Sequence, residues 1–162
     1  MTCCTAKKGF TLIELIVSTS IIFTIFAFAG ISLLNIIPDA GLREAMQSFS
    51  ADARSQQDLA MMGQASLSLP VPYGIHIEPG RYIVFTGTTY TPDDELNYVV
   101  ELPENIMAST TFPDQSITFL PLTGDVKDYD PLTNQVVFSA PSNHSFVLRI
   151  NKLGTIYYVN KL

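Results

Sequence analysis

The chain has 162 residues, 47% of them hydrophobic and 15% charged, with a formal net charge of -6; one ordinary domain plus one strongly apolar segment accounts for that balance. Beyond residue 38, fourteen Asp and Glu stand against seven Lys and Arg. A surface of that sign repels phosphate backbones and anionic headgroups, so no direct nucleic-acid partner is expected.

Both cysteines, Cys3 and Cys4, precede the apolar run, so neither can staple the distal domain, whose core must stand on burial alone. An adjacent pair without further ligands is incidental or a site of acylation rather than a metal site. From Leu15 to Ile37 there are 23 consecutive residues without a formal charge. At about 1.5 Å rise per residue, that is enough helix to cross a bilayer. Lys7 and Lys8 lie just before it, and the positive-inside rule places residues 1–9 in the cytoplasm and the C-terminal domain outside. A cleaved secretory signal has a shorter apolar stretch and a small-x-small site, and a buried soluble helix has no need of so long an uncharged run. A permanent anchor fits, but leaves unexplained why Glu14 stands at the head of the run. A carboxylate at the centre of a bilayer costs roughly 2.5 to 3.5 kcal/mol, less near an interface, and such residues usually have a partner.

The segment Lys7-Lys8-Gly9-Phe10-Thr11-Leu12-Ile13-Glu14-Leu15-Ile16-Val17 resembles the N-terminal processing motif of type IV pilins and of the pseudopilins of type II secretion systems. The resemblance implies that a membrane-embedded prepilin peptidase cleaves between Gly9 and Phe10 and methylates the new amine of Phe10. It also implies that Glu14 pairs with the N-terminal amine of a neighbouring subunit during assembly. Opposite charges in a low-dielectric bundle remove each other's desolvation penalty, and a slip leaves both unpaired, so such a pair can fix register. The implied partners are other pilin or pseudopilin subunits, the prepilin peptidase, an inner-membrane assembly platform, and membrane lipid before assembly. The implied location is a single pass through the inner membrane with the head outside, then a periplasmic or cell-surface filament. Many members carry a proline within the apolar helix. Here the helix-weakening positions are Gly30, Asn35, Pro38 and Gly41, so a bend or break is expected between Asn35 and Gly41.

Further on, Leu42, Ala45, Met46, Phe49, Ala53 and Ala60 recur at helical spacing, with Arg43, Glu44, Asp52, Arg54 and Asp58 expected to turn away. Asp39 is a candidate cap and Gly63 a candidate stop. After Ser66 the period becomes two. Tyr73, Ile75 and Ile77 alternate with Gly74, His76 and Glu78, and Pro79-Gly80 turns the chain, as a type II turn, into a second strand from Arg81 to Thr86. Further strands are expected over 97–102, 116–120, 135–140, 145–150 and 155–159, the last two closed by 151–154. The fold class is therefore α+β: a long N-terminal helix, transmembrane in its first half and amphipathic in its second, packed on a C-terminal antiparallel sheet domain. The expected divisions are leader 1–9, assembly helix 10–37, amphipathic helix 38–66 and β-rich head 67–162.

Within the family, Ala53-Arg54 with Ala60, followed by Tyr73-Gly74-Ile75 and Tyr82-Ile83-Val84-Phe85, is most similar to the H-type minor pseudopilins. No nucleophile motif or phosphate loop appears, and the reading is of a structural subunit rather than an enzyme. His76 is expected to be a surface histidine, far in sequence from His144. Asp125, Asp128 and Asp130 are a weak calcium candidate that lacks the glycine and terminal Glu of a twelve-residue loop; otherwise they form a solvated loop, and no cofactor is expected. Asn143-His144-Ser145 fits an N-glycosylation triplet by pattern alone. The alternative from another class is a membrane-tethered binding module that does not polymerise, with Glu14 snorkelling to the interface.

Overall fold

The computed structural model describes residues 11–34, 37–63, 70–141 and 144–160; of 28–34, 37–39 and 160 it describes the backbone. The chain divides into two compact units, one ending at Ile37 and the other beginning at Pro38.

The first unit holds α1, Leu12–Leu34, a helix of 23 residues. The helix α2, Ile37–Met62, lies in the second unit from Pro38 onward. Pro38 therefore sits in the first turn of a helix, where its missing N–H removes no intrahelical bond, and Gly41 lies inside the same helix. Of the stretch where a bend or break is expected, Ile37 to Gly41 is helical, while α1 ends at Leu34 and Asn35 and Ile36 lie outside the described residues. Asp39 is an internal residue of the first turn rather than a cap. Gly63 ends α2 as expected, at φ +57 with its N–H donated to the Leu59 carbonyl at 3.2 Å, the left-handed stop that glycine adopts without strain.

Eight strands follow among the described residues: β1 Tyr73–Glu78, β2 Arg81–Thr86, β3 Tyr98–Glu101, β4 Met107–Thr110, β5 Ser116–Phe119, β6 Gln135–Ser139, β7 Ser145–Ile150 and β8 Ile156–Asn160. Every named pairing is antiparallel. They form two four-stranded sheets, in the orders β3-β2-β1-β5 and β4-β6-β7-β8. The fold is α+β, with an N-terminal helix, a second helix and antiparallel sheets. Gly80 at φ +83 supplies the third position of the β1–β2 turn, which needs a positive φ for a type II geometry.

The six apolar positions named on α2 are all buried. They meet inward residues of both sheets, among them Ile75, Ile77 and Tyr82 from the first and Phe138, Leu148 and Ile150 from the second. Phe49 marks the seam. Its ring meets Tyr82 edge-on at 5.3 Å and Phe138 at 5.4 Å, so one side chain of α2 joins the two sheets through paired aromatics. The far end of α2 is tied down by polar contacts. Gln57 Nε2 donates to the carbonyls of Gly124 at 3.0 Å and Leu153 at 2.7 Å, and Leu122 N–H donates to the Ala60 carbonyl at 2.9 Å.

Candidate functional site

The candidate site begins with Thr11, immediately before α1. Its Oγ1 accepts the Glu14 N–H at 3.3 Å and its carbonyl accepts the Leu15 N–H at 3.2 Å. Thr11-Leu12-Ile13-Glu14 has the Thr-x-x-Glu spacing of a capping box. Glu14 thus stands in the first turn, where a negative charge also meets the positive end of the helix dipole. Sequence reasoning missed this local role, although the spacing displays it.

Along the same helix the hydroxyls turn inward on their own backbone. Ser18 donates to the Glu14 carbonyl at 2.7 Å, Ser20 to Ile16 at 2.8 Å, Thr24 to Ser20 at 2.8 Å, and Thr19 to Leu15 and Ile16 at 3.0 Å each. Such back-bonding frees a helix from needing outside partners for its hydroxyls. The large apolar side chains described on α1, from Leu12 to Phe26, are all exposed, Leu12 at 79% and Phe23 at 74%. Among the described side chains of α1, what remains is an apolar surface with the Glu14 carboxylate as its one ionisable group. Among the described residues no helix is long and apolar enough to cross a membrane; the uncharged stretch 15–37 runs past the residues whose side chains are described. Lys7, Lys8, Gly9 and Phe10 also lie outside the described residues, as do Cys3 and Cys4.

The acidic loop is not gathered into a metal centre. Asp130 Oδ1 accepts the Leu132 N–H at 2.9 Å, and Asp128 lies 3.8 Å from Lys127 Nζ. Among the described residues no group of three or more His, Cys, Asp or Glu is placed to hold a metal ion, Asp125 included.

Two polar contacts correct the sequence reading. Asp52, expected to face away, accepts a short hydrogen bond from the Tyr82 hydroxyl, which also lies 3.2 Å from Ser48 Oγ. Burial pushes the Tyr82 phenol far above its ordinary pKa, and the bond to Asp52 adds to the shift. His76 is not a surface histidine. Its side chain is 14% exposed, because Tyr90 stacks on the ring at 4.0 Å and 10°. Nδ1 lies 2.9 Å from Ser116 Oγ and Nε2 3.8 Å from Glu78. Desolvation lowers the imidazole pKa, against the opposing pull of Glu78 and the Asp114 backbone. Tyr90 covers His76 from fourteen positions further along the chain, a distance at which strand alternation carries no signal.

Residues 4–30 match the family described as the prokaryotic N-terminal methylation motif. The N-terminus is type IV pilin-like. The matched span contains the Gly9–Phe10 bond, Glu14 and most of α1, and this pilin-like motif points to a structural protein with a processed N-terminus. No curated protein and no solved structure matches the chain.

Proposed function

We propose that the chain is a structural subunit, of the minor type, in a type IV pilus or a type II secretion pseudopilus. The observation that carries this reading is the methylation motif over 4–30, together with an α1 whose described hydroxyls bond its own backbone and whose described side chains carry one charge, Glu14, among apolar residues. In this reading residues 1–9 are a leader removed by the prepilin peptidase, Phe10 becomes the methylated N-terminus, and 10–37 hold the subunit in the inner membrane before assembly. A helix of 23 residues measures about 35 Å at 1.5 Å per residue, a little more than a hydrocarbon core of about 30 Å. Residues 38–66 and 67–162 form the external head. The assembly platform moves the subunit into the filament, and the Glu14 carboxylate takes the N-terminal amine of a neighbour. The helix-then-sheet order and the Tyr73-Gly74-Ile75 segment support the H-type comparison.

A second reading, a tethered module that never polymerises, is favoured by the Thr11 cap, which gives Glu14 a local role without any neighbour. Processing separates the two. Mass spectrometry of the membrane-held chain should find an N-terminus at methylated Phe10, and Gly9→Leu should block it, because the peptidase must approach the backbone closely there. A chain still beginning at Met1 would overturn the subunit reading.

A further inference from the structure

The outer face of the first sheet, turned away from α2, carries a built polar cleft that assembly through α1 does not use. On this face the cross-strand neighbours run Val99, Ile83, His76, Ser116 in one row and Phe85, Gly74, Thr118 in the next. Tyr90 lies over them, stacked on His76 and tilted against Phe85 at 5.8 Å. His76 is itself held between Ser116 and Glu78, so the tyrosine ring rests on a fixed support. Beside it opens a cleft of about 130 Å³, whose walls include Tyr90, Ser116, Thr118 and Asp114. Thr88, Lys127 and Asp128 complete the part of the wall that matters for charge.

The chemistry of these walls selects a class of ligand. The hydroxyls of Thr88 and Thr118 both donate and accept, and the Asp114 carboxylate accepts; the Ser116 hydroxyl is already engaged, donating to the Asp114 carbonyl at 3.0 Å and lying 2.9 Å from His76 Nδ1. Lys127 is engaged: its Nζ donates to the Thr88 carbonyl at 3.4 Å and lies 3.8 Å from Asp128. Two carboxylates against one engaged ammonium disfavour an anion. One aromatic ring beside several hydroxyls and a carboxylate suits a molecule that has an apolar C–H face and a hydroxyl-rich rim. Asp114 and Asp128 both lie in the left-handed region, φ 52 and 50, which aspartate enters more readily than most L-residues. At about 30 Å³ of liquid volume per water, the cleft of about 130 Å³ holds about four waters, so a single sugar ring seats one face in it and leaves its remaining rim in solvent.

We infer that the cleft beside Tyr90 binds a neutral sugar ring, one hexose unit of a glycan. The ring's C–H face lies on Tyr90, its hydroxyls are shared between Thr88 and Thr118, and Asp114 accepts from the rim. The site belongs to the head and stands apart from the α1 assembly reading.

The test uses the full chain in a zwitterionic detergent free of sugar, titrated with neutral trisaccharides built from glucose, galactose, mannose or N-acetylglucosamine and read by saturation-transfer NMR. At least one should bind, with Tyr90→Ala and Asp114→Asn each weakening it about tenfold, the loss of one good stacking or charge-assisted contact. Tyr90→Phe should keep binding. Should Tyr90→Ala fail to fold, Asp114→Asn decides alone, because the position is exposed and asparagine tolerates its left-handed backbone. The proposal is overturned if no trisaccharide binds at about 20 mM, if binding ignores Asp114→Asn, or if a lysine oligopeptide occupies the cleft while the sugars do not.

Discussion

Gly74→Ala is the sharpest probe of how the head is packed. Gly74 pairs with Phe85 on β2 and Thr118 on β5, and its missing side chain is what lets the Phe85 ring lie across β1. A Cβ placed there would sit 2.5 Å from Phe85 Cζ and 2.7 Å from the Ile117 carbonyl oxygen. The ring would have to retreat by about 1 Å, and Phe85 is only 1% exposed, so it has little free space to enter. Overpacking of this kind costs about 1–3 kcal/mol. Alanine also restricts the unfolded chain, which stabilises by about 0.4–1 kcal/mol, leaving a net loss of about 1–2 kcal/mol. For a domain of this size that lowers the thermal midpoint by about 4–8 °C, measured by circular dichroism on the full chain in detergent. Phe85→Leu removes the Cζ contact and leaves the carbonyl contact in place. The double variant should therefore be more stable than the sum of the single losses, by at least about 0.5 kcal/mol. A neutral Gly74→Ala, or strictly additive losses, would refute the packing described for this face.

Phe49→Ala should destabilise the head by about 3–5 kcal/mol in urea unfolding, because it removes the aromatic that meets both sheets; a loss under about 1 kcal/mol would mean that α2 does not join them. His76 gives a pH signature. Its folded pKa is lowered from 6.5, so the unfolded chain takes up the proton first, and the stability that neutral His76 contributes above pH 6.5 is lost as pH falls through the folded value. Between pH about 7.5 and about 5 the wild type should lose more thermal stability than His76→Gln; equal losses would show that neither the Tyr90 stack nor its neighbours Ser116 and Glu78 govern the titration.

The N-terminal motif and the buried stripe of α2 were legible because both are local patterns: a dense run around Gly9 and Glu14, and apolar residues spaced for one helix face. The β1–β2 hairpin was legible through alternation and Pro79-Gly80. Strand β4 was not, since Met107-Ala108-Ser109-Thr110 is short and only weakly strand-forming, and its alternation follows from pairing with β6. The division into two sheets is a long-range property that period-two patterns do not encode. Asp52 was misread because helical spacing places it at the rim of the buried stripe, where a hydroxyl from another element decides whether a carboxylate faces water. His76 was misread for a related reason: alternation placed it opposite the core, and a loop tyrosine then covered it.

The central claim is that the Glu14 charge directs assembly. Glu14→Gln tests it most directly, because glutamine keeps the spacing and hydrogen bonding that suit the Thr11 cap while removing the charge. In the filament, the neighbour's N-terminal amine would then be left buried without its counter-charge. Leaving one member of a buried pair uncompensated costs about 3–5 kcal/mol, and each 1.4 kcal/mol is a factor of ten. The quantity to measure is the ratio of sheared, filament-associated protein to membrane-held protein, with processing at Phe10 checked in both forms. The account predicts undiminished membrane insertion and a ratio at least about tenfold below wild type. Equal ratios would contradict it and leave the tethered module as the better description.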